Sequence, residues 1–294
     1  MLLLAILVLA SGCAPGSQTG ADSESVKLVV TGSSTVAPLV SDLAKAFEAE
    51  HPAARIDVQT GGSSRGMADA RQGLADIGMV SRSPKDDEQD LQWHAVAKDG
   101  LAVIVHADNP LDGLSGADVE RIYRGEIASW QELGGNDAPV TVVSKAEGRS
   151  TLEIFLKHFG MASPDIQADV VIGDNQQGIK TVAGNPDAIA YVSIGTAEFE
   201  AAQGTPIKLL TLDGVVPSTA AVRDGSYPIS RTLHLVTAQA PEGWVAEFLT
   251  FCGSTAAQPL VEGQFFVPLE AGGTLETPGT LKAAAPAPRT STHG

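Results

Sequence analysis

The sequence predicts an α/β fold with mainly parallel sheets. Three observations carry that reading. Short β-branched or apolar runs alternate with stretches of helical hydrophobic spacing. The junctions from strand to helix are marked by Gly, Ser and Thr. The 294 residues, 43% hydrophobic and 18% charged, suit a packed chain of about two domains. No internal repeat is visible.

The elements follow in order. Val26 to Val30 is a β-branched-rich strand that leads into Thr31-Gly32-Ser33-Ser34-Thr35. Val36, Leu39, Val40, Leu43 and Phe47 then share one helical face, with Asp42, Lys45 and Glu48 opposite. Pro38 sits in the first turn, where a missing N–H costs nothing. Arg55 to Thr60 alternates as a strand, and Gly61-Gly62-Ser63-Ser64-Arg65-Gly66 precedes a helix from about Met67 to Gln72. Asp76 to Val80 is a strand ending in Ser81-Arg82-Ser83-Pro84, and Lys85 to Asp90 reads as a solvated helix face. Leu101 to Val105 has the unbroken apolar character of a fully buried strand. Trp130 reads as a packing residue on a short turn. Val140 to Val143 is a strand, followed by Glu147-Gly148-Arg149-Ser150-Thr151 and a helix from Leu152 to Phe159. Right-handed crossovers would gather the loops after these strands along one edge.

Lys and Arg number 19 against 35 Asp and Glu, a net charge of −16. Duplex binding draws on basic patches that release counterions, so a nucleic-acid surface is not expected. A small anion is not excluded. Short-range N–H and O–H donors in a dry cleft outweigh a screened surface field.

The ends have their own character. Met1 to Gly12 is apolar but shorter than the ~20 residues a bilayer span needs, and it reads as a secretory signal without the usual basic start. Leu9 to Cys13 resembles a bacterial lipobox, although Ala10 stands where Leu is usual. That resemblance implies lipidation at Cys13 and attachment to the membrane through the lipid only. Residues 13–25 would then be a tether reaching about 20 Å. The segment 269–294 is rich in Ala, Pro, Gly and Thr and reads as a disordered tail. Cys252, in an apolar run, reads as a small buried hydrophobe.

Three loops share one form, a strand followed by Gly with Ser or Thr and a helix start: 32–35, 61–66 and 148–151. Each sets hydroxyls beside the free N–H groups of a helix end, a ready anion site. One such loop is merely a good N-cap. Three, with Arg65, Arg82 and Arg149 as candidate charged forks, point to a shared oxyanion pocket.

The runs VVTGSSTVAPL (29–39), VQTGGSSRGMADARQGLADIGMVSR (58–82), DGLAVIVHADNPL (99–111), VERIYRGEIASWQELGG (119–135) and AIAYVS (188–193) resemble, in order, the phosphate-binding lipoproteins of bacterial phosphate ABC importers. YPISRTLHLV (227–236) fits the strand by which that family returns to its first lobe. The resemblance implies a type II periplasmic-binding-protein fold: two α/β lobes, mainly parallel sheets, a two-strand hinge and an anion in the cleft. Lobe 1 would be 26–105 plus 226–268, and lobe 2 would be 106–225. Carried over by motif, the site residues are Ser34, Thr35, Ser63, Ser81, Arg82, Arg149, Ser150 and Thr151, with Ser64, Lys145 and Glu147 in a second tier. The family implies no cofactor or metal. Its partners are inorganic phosphate and an ABC permease, outside the cytoplasm, and a monomer is expected.

Two departures bear on selectivity. A family Asp that accepts the proton of protonated phosphate falls near Arg82, and a family Arg falls on Lys145. Glu147 is the acceptor expected in place of the Asp. Without one, sulfate becomes an alternative ligand, and a sensor in place of a permease an alternative partner. Gly62 to Gly66 also fits the GxSxG pattern of serine hydrolases, but it follows too few strands, and no HGGG-type motif accompanies it. An adhesion lipoprotein without ligand is a further rival. The six His residues form no metal-ligand spacing, so His94 and His106 read as strand residues.

Overall fold

The computed structural model describes residues 26–269. The signal, tether, Cys13 and nearly all of the tail expected from the sequence lie outside the described residues.

The chain runs β1 (Val26–Gly32), α1 (Ala37–Glu50), β2 (Ala54–Thr60), α2 (Ser63–Arg71), β3 (Ile77–Val80), β4 (Gln92–His106), β5 (Gly113–Leu114), α3 (Gly116–Tyr123), β6 (Thr141–Lys145), α4 (Ser150–Phe159), β7 (Val170–Ile172), α5 (Asn175–Gly184), β8 (Ala188–Ser193), α6 (Ile194–Ala202), β9 (Ile207–Leu209), β10 (Thr211–Leu212), α7 (Thr219–Asp224), β11 (Ser230–Thr237), α8 (Gly243–Cys252) and α9 (Gln258–Gly263). The main sheet has the order β2-β1-β3-β11-β4-β8-β6-β7, with β9 also on β4. Its two wings are parallel, β2-β1-β3 on one side and β8-β6-β7 on the other. The centre is antiparallel: β11 pairs β3 and β4, and β4 pairs β8 and β9. The architecture is therefore a mixed two-lobed α/β fold.

Two separate cores make the two lobes. One gathers Leu28, Val30, Leu39, Leu43 and Phe47 with Leu233, Leu235 and Phe248. Phe47 is 1% exposed and meets Phe248 and Trp244 edge-on, with ring centroids 5.3 and 6.2 Å apart. Burial of one such ring contributes about 1.5–3 kcal/mol. On the other face of that sheet Met67, Val80, Trp93 and Val236 pack under α2. The second core gathers Tyr123, Trp130, Phe155, Tyr191 and Val192. Trp130 lies on a single 3-10 turn, Trp130–Leu133, and its indole N–H donates to Asp187 O at 2.9 Å.

β4 passes from one core to the other. Residues up to Gly100 pair with β11, whereas Leu101–Val105 pair with β8 and belong to the second core. The change of partner comes at about Gly100, earlier than the residue 105 read from the sequence, because the apolar run Leu101–Val105 already pairs with β8 and packs in the second core. The chain returns through Tyr227–Arg231. There Ile229 O accepts from Leu101 N at 2.9 Å, and Tyr227 Oη donates to Leu101 O at 2.9 Å.

Two local readings differ. The helix expected from Met67 begins at Ser63. Residues 85–90 form turns rather than a helix, because the Glu88 carboxylate is drawn inward by Arg82 and by the Lys85 amide. Cys252 is buried and free, and burial pushes its thiol pKa up. No helix of the described residues is long and apolar enough to cross a membrane.

Candidate functional site

The three Gly/Ser/Thr loops converge on one pocket. It is lined by Ser33, Ser34, Thr35, Gly62, Ser63, Ser81, Lys145, Arg149, Ser150, Thr151 and Gly173. None of these side chains is a carboxylate. Helices α2 and α4 both begin there, and neither N-cap, Gly62 or Arg149, supplies a side chain to cap its amides. Uncapped helix ends carry partial positive charge and donors without intrahelical partners. They meet closely: Ser64 N donates to Gly148 O at 3.3 Å. Gly62 has φ +94, and a Cβ there would stand 2.9 Å from both Arg149 Cδ and Gly148 O, so only glycine fits.

Hydrogen-bond chemistry fixes which way the hydroxyls point. Lys145 Nζ donates to Asn175 Oδ1 at 2.8 Å. The other end of that amide, Nδ2, donates to Thr35 Oγ1 at 3.1 Å. Arg231 Nη2 also donates to Thr35 Oγ1, at 3.3 Å, and Arg231 Nη1 to Thr151 Oγ1, at 3.0 Å. Ser63 Oγ accepts from Ser81 N at 3.2 Å. All three hydroxyls accept, and none donates to another group among the described residues, so their protons are available to an acceptor in the pocket. Ser150 Oγ is buried and has no hydrogen-bond partner among the described residues. A buried unsatisfied hydroxyl costs about 1–3 kcal/mol, which a bound acceptor would offset.

The charges are graded. Lys145 is 4% exposed; burial, with Arg231 and Arg149 nearby and Asp174 opposing, lowers its pKa from 10.5 to about 7. Arg231 is held by Asp99, with Nη2 and Nε at 2.7 and 3.0 Å from Oδ2, so its charge is balanced within the fold. Arg149 and Lys145 form no ion pair among the described residues. A guanidinium without an ion pair, a buried amine that a bound anion would recharge, two helix N-termini and four hydroxyls suit a small anion with several acceptors.

The chain can be compared with known proteins on that basis. The profile of the PBP superfamily domain matches residues 14–255. The phosphate-binding protein PstS of Bacillus subtilis is 31% identical over 285 residues, covering 92% of each chain. The chain belongs to the PstS family of phosphate-binding proteins. A structure from Clostridium perfringens, described as a phosphate ABC transporter substrate-binding protein with bound phosphate, superposes with a TM-score of 0.77 at 29% identity, covering 83% of this chain and 100% of that one. An ABC-type phosphate transport receptor from Vibrio cholerae gives 0.67 at 26%, with the same coverage.

Within the PstS frame, the structure brings together Ser34, Thr35, Ser63, Ser81, Arg149, Ser150, Thr151 and Lys145. It places three expected residues elsewhere. Arg82 is bidentate to Glu88, at 2.6 and 2.7 Å, and turns to a groove on the far side of Arg231. Burial works against its charge, but Glu88 and Glu153 more than compensate and raise its pKa. Glu147 is exposed and accepts from Ser163 Oγ at 3.1 Å, away from the pocket, so it is no acceptor for a bound anion. Ser64, the central position of the GxSxG pattern, faces solvent, and Arg65 pairs with Asp69.

Sequence reasoning missed Arg231 and Asn175. Arg231 lies in a mostly buried strand, Ser230–Thr237, directly opposite Asp99 in the register of β11 and β4. An Arg and an Asp, each inside a run that reads as buried strand, were the available signal. Asn175 follows the N-cap Asp174 and gave none.

Proposed function

We propose that this PstS-family chain captures inorganic phosphate between its lobes and delivers it to an ABC permease. The observation that carries this reading is the pair of relays, Lys145–Asn175–Thr35 and Arg231–Thr35/Thr151, which aim hydroxyl protons into a pocket without carboxylates. The binding lobes would be 26–100 plus 230–268 and 101–229. Ser34, Thr35, Ser63 and Ser81 act from the first, and Lys145, Arg149, Ser150 and Thr151 from the second. An anion touching both favours the closed state through contacts the open state lacks. Cys13 is proposed to anchor the chain, as a monomer, to the outer face of a bacterial membrane. Membrane fractionation of Cys13→Ser tests that anchor.

A second reading is favoured by the same lining. Hydrogen phosphate carries a proton that needs an acceptor, and no carboxylate faces the pocket. A fully ionised tetrahedral oxyanion such as sulfate has no such need. Calorimetry of the anion-stripped protein with phosphate, sulfate and molybdate decides between them. Phosphate heat with a clear preference over sulfate supports the first reading, and absence of phosphate binding overturns it.

A further inference from the structure

Helix α4 presents Ser150 and Thr151 to the anion pocket, yet it carries Glu153 in its first turn. A carboxylate there opposes the anion electrostatically. Its partners explain why it can be kept. Glu153 Oε2 lies 2.6 Å from Lys85 Nζ and 3.2 Å from Arg82 Nε. Both cations belong to the first lobe, in the loop after β3, and Glu153 belongs to the second. Arg82 is fixed in advance: Glu88 holds both of its terminal nitrogens, and its carbonyl bonds His234 Nδ1 at 3.0 Å. Its Nε has no hydrogen bond of good geometry and is left to face Glu153. A cation already immobilised on one lobe loses little entropy when the other lobe arrives.

We infer that Arg82, Lys85 and Glu153 form a closure latch, an ionic contact between the lobes that sets how tightly the anion is held and how fast it leaves, without touching it. This rests on the reading of the pocket as an anion site that closes around its ligand. The sign of one substitution separates the latch from its rivals. If Glu153 merely repels the anion, Glu153→Gln tightens binding. If it merely favours the helix dipole, the variant melts earlier but binds equally. The latch requires weaker binding.

The test uses the full chain and phosphate as probe. For Glu153→Gln the phosphate Kd should rise about tenfold. The dissociation rate by stopped flow should rise in proportion. Small-angle scattering of anion-stripped protein should show a larger radius of gyration than wild type. Lys85→Glu, at a half-exposed side chain, should weaken binding in the same direction without disturbing the core. An unchanged or lower Kd in either variant overturns the latch. If wild type itself gives no heat with phosphate, the phosphate reading fails, and the scattering comparison then judges the latch alone. Equal radii overturn it.

Discussion

Lys145→Met should make the protein more stable while disabling it. The native ammonium is pulled from 10.5 to about 7, chiefly by burial. At about 1.4 kcal/mol per tenfold, that fall corresponds to roughly 5 kcal/mol against the charged folded state. The folded pKa lies below the unfolded one, so between pH 7 and 10.5 the unfolded chain binds more protons. Stability of the anion-stripped wild type therefore rises with pH across that window, and below about pH 7 the full penalty is present. Methionine removes the charge at similar volume but leaves Asn175 Oδ1 without its donor, which costs ~1–3 kcal/mol. A net gain of about 2–4 kcal/mol remains near neutral pH, or a Tm increase of roughly 5–10 °C for a chain of this size. Phosphate affinity should fall by about 100-fold or more, because a charged donor to the anion is lost. Differential scanning calorimetry of both proteins, stripped of anion, at about pH 6 and about pH 9 measures the difference. A variant that melts no higher than wild type near pH 6, or a gain that does not shrink by pH 9, refutes the argument.

Other expectations follow from the same geometry. Ser150→Ala removes a buried hydroxyl without a partner, so melting should be unchanged or raised while phosphate binding weakens by about tenfold in calorimetry. Arg231→Ala strands Asp99, which is 2% exposed, and should lower unfolding stability in urea by about 3–5 kcal/mol, with Asp99→Asn/Arg231→Ala recovering part of the loss. Glu147→Gln should leave the ratio of phosphate to sulfate affinity where it was, since Glu147 faces Ser163 at the surface. A changed ratio in competition calorimetry would return Glu147 to the site.

What the sequence made legible was local. The loops 61–66 and 148–151 announce helix ends because Gly, Ser and Thr act on the amides beside them, and those ends do meet in the pocket. What it hid depends on partners far along the chain. Arg231 and Thr35 are 196 positions apart, and no pattern near either one names the other. Arg82 looked free because a nearby Glu can face solvent or turn inward, and only tertiary packing decides. Lys145 stood out in the sequence only as the place of a family Arg, because the partners that bury it, Tyr191 of β8 and Asn175 of α5, lie far along the chain. The antiparallel centre of the sheet was hidden for a related reason: β4 and β11 read as strands, but composition does not give their direction.

A strand shared by two cores has a thermal consequence. β4 supplies residues up to Gly100 to one half of the main sheet and Leu101–Val105 to the other half, as one uninterrupted backbone. Neither half can melt without stripping a strand from its neighbour. The two lobes can swing, but they should lose their structure together, as a single cooperative unit with one calorimetric peak.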